Sequence, residues 1–163
     1  MTTESTDELL VQGLEELYYT EQKLLDALDE LADQTDHEEV SRGFAEHREE
    51  TEQHVERLEK VFEEIGEEPQ RREERVVDAL IQEHEEFAGE NDGEVLDRYN
   101  ISTGQKTEHY EIAMYGNVTS LAGKLGHDDA ADMLEETLRE EEEALDELSE
   151  AGEQFDQQQI AGD

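Results

Sequence analysis

Four runs of this sequence put acids and histidines where apolar residues are due. Leu10, Leu14, Leu17, Leu24, Leu28 and Leu31 recur at steps of three and four, and the skipped position between Leu17 and Leu24 is Glu21. Between Phe44 and Leu58 the stripe passes through His47, Glu50 and His54. Glu108 falls between Ile101 and Ile112 or Tyr115, with Glu111 one turn on, and Glu141 fills the gap between Leu138 and Leu145. Carboxylates aimed into one apolar interior repel each other and cost several kcal/mol each to desolvate unless cations or protons compensate. Carboxylate-bridged di-iron and di-manganese sites in helical bundles take a Glu from each of two helices, plus a Glu and a His one turn apart from each of the other two. Oxygen donors with one or two imidazoles suit Fe or Mn better than Cu or structural Zn. The pattern therefore predicts two ions per chain, with Glu21, His47, Glu50, His54, Glu108, Glu111 and Glu141 as candidate ligands. Glu50 pairs with His54 at i+4 or with His47 at i−3, whereas Glu141 has no His partner on its own helix.

Four long helices must position these groups. Ser5 with Glu8 reads as a capping box, starting helix A near residue 6 and ending it near Asp33. Thr35 with Glu38 reads as a second box opening helix B, which Gly66 and Pro69 stop. A shorter helix is expected from Glu73 to Glu90, and Gly89 to Gly93 is a loop. Helix C then runs from about Glu94 to Leu125. Gly126 is its C-cap residue, and Asp128 is the N-cap of a helix D with a stripe of Leu134, Leu138, Leu145 and Leu148. The result is an all-α, ferritin-like four-helix bundle of two antiparallel hairpins, with a long B to C crossover containing the short helix. It occupies residues 1–150 as one domain, and 151–163 are expected as a frayed tail.

Hairpin arithmetic tests whether the candidates share a level. Glu21 lies 14 residues before Thr35 and Glu50 lies 15 after it, while Glu111 and Glu141 each lie 15 from Gly126. At about 1.5 Å per residue, all four sit roughly 22 Å from their turns. Glu108 and His54, about one turn further from theirs, are expected to share a second level. His37, His84 and His127 lie near caps or on the connecting helix and are not expected to ligate. His109 suits a supporting or helix-contact role, and Tyr18 and Tyr115 could line the site.

Composition narrows the function classes. With 50 Asp and Glu against 12 Lys and Arg, the formal charge is -38, which repels nucleic acid and anionic membrane surfaces. The densest basic cluster, Arg71, Arg72 and Arg75, is flanked by Glu67, Glu68, Glu73 and Glu74. There is no Cys, so no disulfide or thiolate site arises. Neither a signal peptide nor an apolar span is visible, which predicts a cytoplasmic protein. Acids spread along the whole chain fit a halophilic, solvated coat better than a mimic of nucleic acid.

At its site residues the chain resembles the YciE/YciF-type ferritin-like family of stress-associated proteins. The matching segments are ELYYTEQKLLDAL (16–28), HREETEQHVERLEKVF (47–62), EHYEIAMYG (108–116) and LGHDDAADMLEETLREEE (125–142). The resemblance implies a bundle paired as a homodimer with a di-metal centre. It carries over Glu21, His47, Glu50, Glu108, Glu111, and Glu140 with Glu141. The family often has an acid one turn after the second Glu of helix D, where this chain has Leu145. The expected function is Fe or Mn chemistry on peroxide, oxygen or Fe(II) under stress, with an external electron donor. The alternative is a non-catalytic dimeric stress or partner-binding protein with a vestigial or empty site.

Overall fold

Ser5 opens the first helix as its spacing predicts. Its hydroxyl accepts the Glu8 N–H at 3.1 Å, and the Glu8 carboxylate accepts the Glu4 N–H at 2.7 Å. The computed structural model describes residues 2–161, which form Thr6–Gln34 (α1), Glu38–Glu64 (α2), Arg75–Ala88 (α3), Gly93–Lys124 (α4) and Asp128–Phe155 (α5). A π-helical turn, Asp156–Ile160, follows α5, and no strand occurs among the described residues. Gly66 and Gly126 end α2 and α4 with φ of 77° and 87°, a left-handed conformation that glycine adopts without a Cβ clash.

Packing pairs α1 with α2 and α4 with α5, then sets α1 against α4 and α2 against α5. Helix α3 lies along α4 and touches α1. The α1–α2 turn is tied to the start of α4: the Asp97 carboxylate accepts the N–H groups of Asp36 and His37 at 2.8 and 3.0 Å. The α4–α5 turn therefore lies at the opposite end of the molecule. Two apolar clusters fill the two ends. One holds Leu10, Leu14, Phe62, Val118, Ala122 and Leu134 near the α4–α5 turn; the other holds Leu31, Val40, Phe44, Ile101 and Phe155 near the α1–α2 turn. At about 2 kcal/mol for each fully buried large side chain, these clusters offset the cost of a polar layer between them. Gly13 lets α1 approach α4 closely, since a Cβ there would meet Val118 Cγ1 at 2.7 Å.

Several expected details differ. Thr35 does not cap α2; its hydroxyl donates back to Leu31 O at 2.6 Å, and Asp97 from a distant helix supplies the missing acceptor. Asp128 is the first residue of α5 rather than its N-cap, which is His127. On α5 the buried face runs through Thr137, Glu141 and Ala144, while Leu138 and Leu145 are half-buried beside it. The expected frayed tail is helical through Ile160, because Phe155 packs into the core at 2 % exposure; residues 162 and 163 lie outside the described set. His84 ties α3 down through buried Asn100, which in turn donates to Thr35 Oγ1 at 2.9 Å. No helix of the described residues is long and apolar enough to cross a membrane.

Candidate metal centre

Each long helix contributes donors to the polar layer. Glu21 comes from α1, His47 and His54 from α2, Glu108 and Glu111 from α4, and Glu141 from α5; Glu21, His54 and Glu141 have no exposure at all. Two buried groups form, each with donor atoms within 4.8 Å of one another. One is His47, Glu108, Glu111 and Glu141, and the other is Glu21, His54 and Glu141. Glu141 belongs to both. A third, partly exposed group holds Glu50, His54 and Glu140.

Within these groups donors crowd together without satisfying one another. His47 Nε2 lies 2.7 Å from Glu108 Oε1, and His54 Nδ1 lies 2.8 Å from Glu141 Oε1 and 3.5 Å from Glu21 Oε2. Yet His54 Nδ1, Glu21 Oε2, Glu108 Oε2 and both oxygens of Glu111 and Glu141 are buried with no aligned hydrogen-bond partner. Buried polar atoms are nearly always paired. Seven orphans converging from four helices, six of them carboxylate oxygens, suit a pair of hard divalent ions.

The two histidines are held alike. His54 turns Nδ1 inward and its Nε2 lies 2.8 Å from Glu140 Oε2; His47 turns Nε2 inward and its Nδ1 lies 3.1 Å from Glu50 Oε2. Fixing the outer nitrogen with a carboxylate sets the ring's orientation and its tautomer. Glu50, expected as a ligand, lies in this outer place behind His47, about a third exposed. The reason is angular: it is about 60° around the helix from His47, whereas His54, seven residues on, is only about 20° away. The expected common level of Glu108 and His54 also fails. Their turns lie at opposite ends of the molecule, so one turn further from each moves the two residues in opposite directions along the helices.

Sequence reasoning missed Arg57. Its guanidinium donates to both oxygens of Glu140 at 3.1 Å and to Thr137 Oγ1 at 2.7 Å, so it secures the carboxylate behind His54. Its place three residues after His54, on the same helix face, was the available signal. Tyr115 is fully buried and donates to Glu21 Oε1 at 3.2 Å, whereas Tyr18 donates to Glu59, away from the centre. His109 is exposed and supports nothing here.

Burial, then the charge of Glu141, pushes Glu108 well above the usual carboxylate range, and burial with Glu141 and Glu21 does the same to Glu111. Burial would raise Glu141 too, but its contacts with Glu108 and His54 hold it below that range. Burial works against a charge on His54, yet Glu141 and Glu21 outweigh it and push the ring up to about 11. His47 is likewise raised, against desolvation, by Glu108 and Glu50. Groups with raised values stabilise the fold fully below their unfolded values, near 4.5 for Glu and 6.5 for His, and lose that contribution as pH rises through the folded ones. Glu141 acts oppositely, losing its contribution only in acid. Metal-free protein in high salt is therefore expected to melt about 5 °C or more lower at about pH 9 than at about pH 5.5, by scanning calorimetry. A flat or rising profile over that window would show that the layer does not hold these protons.

The fold and the centre together define a class: an all-helical protein with carboxylate and imidazole groups at mid-length that could hold metal. Its family model matches residues 5–161, and the chain belongs to the DUF892 family, a domain of unknown function. It is similar to protein YciF of Escherichia coli, 38% identical over 148 residues that cover 90% of this chain and 89% of that one. The crystal structure of the E. coli stress protein YciF superimposes with a TM-score of 0.91, at 33% identity over 96% of this chain and 99% of that one. YcfI of Rhodopseudomonas palustris, described as a candidate structural protein, gives 0.88 at 38% identity, covering 90% and 94% of the two chains. A Xanthomonas campestris protein shares the fold at 0.76 and 22% identity, covering 93% of each chain.

Proposed function

We propose that this chain is a ferritin-like protein whose helices hold two divalent ions, Fe or Mn, for handling peroxide, oxygen or Fe(II) under stress. One observation carries the reading: Glu141 is fully buried, neither of its oxygens has an aligned hydrogen-bond partner, and both buried donor groups share it. Glu21 and His54 would hold one ion, and His47, Glu108 and Glu111 the other, with Glu141 between them. Glu50 and Glu140 orient the two imidazoles from behind. Bound ions of this kind supply Lewis-acid and redox chemistry toward oxygen species.

The chain's own residues prepare that chemistry. Tyr115 donates to Glu21 Oε1 and fixes that carboxylate, while the apolar cluster at the α4–α5-turn end closes that side of the layer. Loading displaces protons from the raised imidazoles and from Glu108 and Glu111, so uptake strengthens as pH rises. With no Cys in the sequence, a redox cycle would draw electrons from a separate donor. On the family resemblance we propose a cytoplasmic homodimer, with the acidic coat an adaptation to molar salt.

Elemental analysis of protein purified without chelator is expected to find about two Fe or Mn per chain. Metal-free protein whose melting is unchanged by added Fe(II) or Mn(II) would sink the proposal. That outcome would favour a second reading, a non-catalytic bundle. Its support is that imidazole and carboxylate atoms already approach within 2.7 and 2.8 Å and can neutralise one another.

A further inference from the structure

On the α1–α2-turn side of the polar layer, a cavity of about 390 Å³ runs between the helices. Leu24, Leu28, Leu31, Phe44, Ile81 and Leu148 form its walls, and His47, Glu108 and Glu111 close its inner end. Protein interiors are normally packed to crystalline density, and a void lined by large apolar groups destabilises. Here small residues keep the space open. Ala27 lines it, and so does Gly43 at its exposed mouth, where a Cβ would meet nothing within 4 Å. At the inner end, Glu108 Oε2 and both oxygens of Glu111 are buried without partners. Around the rim stand Glu30, Glu39, Glu46, Glu49 and Glu147, and no Lys or Arg lines the cavity among the described residues.

We propose that this cavity binds an uncharged, single-chain aliphatic molecule with an oxygen function at one end, that end turned toward Glu108 and Glu111. At about 30 Å³ for each water-sized group, the volume admits about a dozen non-hydrogen atoms, a chain of about eight to ten carbons. The apolar walls reward each buried methylene by roughly fourfold in affinity. The carboxylate rim selects against fatty acids and other anionic chains, because the like charge must pass it and then sit beside further acids. This site deepens the metal reading, since its polar end is one of the two donor groups, but the walls bind a chain whether or not ions are present.

The test is calorimetric titration of metal-free protein with 1-octanol and, in the same buffer, with octanoate. Octanol is expected to bind at least about tenfold more tightly than octanoate. Gly43→Phe, which adds a ring to the wall and removes a helix-weakening glycine, is expected to weaken octanol by about tenfold or more, while Gly43→Ala leaves it unchanged. Ala27→Phe, on the α1 side of the cavity, provides the same reading if Gly43→Phe does not fold. Absence of octanol binding, equal binding of octanoate, or indifference of the folded Phe variant overturns the inference. Mn(II) titration of the same preparation separates the two claims: Mn(II) binding without octanol binding defeats the cavity, and octanol binding without Mn(II) binding defeats the metal centre.

Discussion

Glu141→Ala is expected to bind neither ion, whereas Glu50→Ala keeps both at about 10- to 100-fold lower affinity. The contrast follows from position. Glu141 is fully buried and shared by both donor groups, so its loss removes a donor from each. Glu50 lies against the outer nitrogen of His47, and without it the ring still faces Glu108 with its orientation less firmly set. Glu141→Gln retains the shape and removes the charge, so it separates ligand loss from a packing defect. Circular dichroism would verify the fold of each variant, and Mn(II) calorimetry with elemental analysis would count ions. If Glu141→Ala still bound two ions, or Glu50→Ala bound none, the roles would be reversed.

The second large effect concerns salt. The formal charge is -38, and cations that could relieve it are few, several of them already engaged: Arg48 with Asp29 and Glu52, Arg57 with Glu140, and Arg98 with Asp156. Most of the exposed acids are left to repel one another. Screening shortens that repulsion from about 10 Å at 0.1 M ionic strength to about 3 Å at 1 M. The melting temperature is therefore expected to rise by about 10 °C or more between 0.1 and 2 M KCl, and by a similar amount in NaCl. A melting temperature independent of salt would mean that the acid coat does not limit stability, and the halophilic reading would fall with it.

Much of the fold was legible because apolar spacing is a local property. The ends of α1 and α4, the crossover helix and the glycine stops all follow from residues within a few positions of each other. The same is true of the site to first order, since Glu21, His54, Glu108, Glu111 and Glu141 interrupt apolar stripes and all prove buried. What sequence could not supply was relation across helices. Thr35 and Glu38 have capping-box spacing, but Asp97, about sixty positions away, provides the acceptors. Steps of three and four blur a residue's direction by about 60°, which is the difference between Glu50 as a ligand and Glu50 behind a ligand. Arg57 is one basic residue among many charged ones until Glu140 is seen against it. The cavity is likewise a property of five helices meeting, and no single stripe announces it.

Asp97 has a bearing on how the chain folds. The amides of Asp36 and His37 begin α2, and their acceptor arrives only with α4, so the first hairpin alone leaves its turn open. The first hairpin is then not complete on its own: closing its turn requires docking α4. This favours a single cooperative transition over stepwise melting of two halves. Hydrogen exchange at these two amides thus reports separation of the hairpins, a rarer event than the fraying that governs ordinary helix starts.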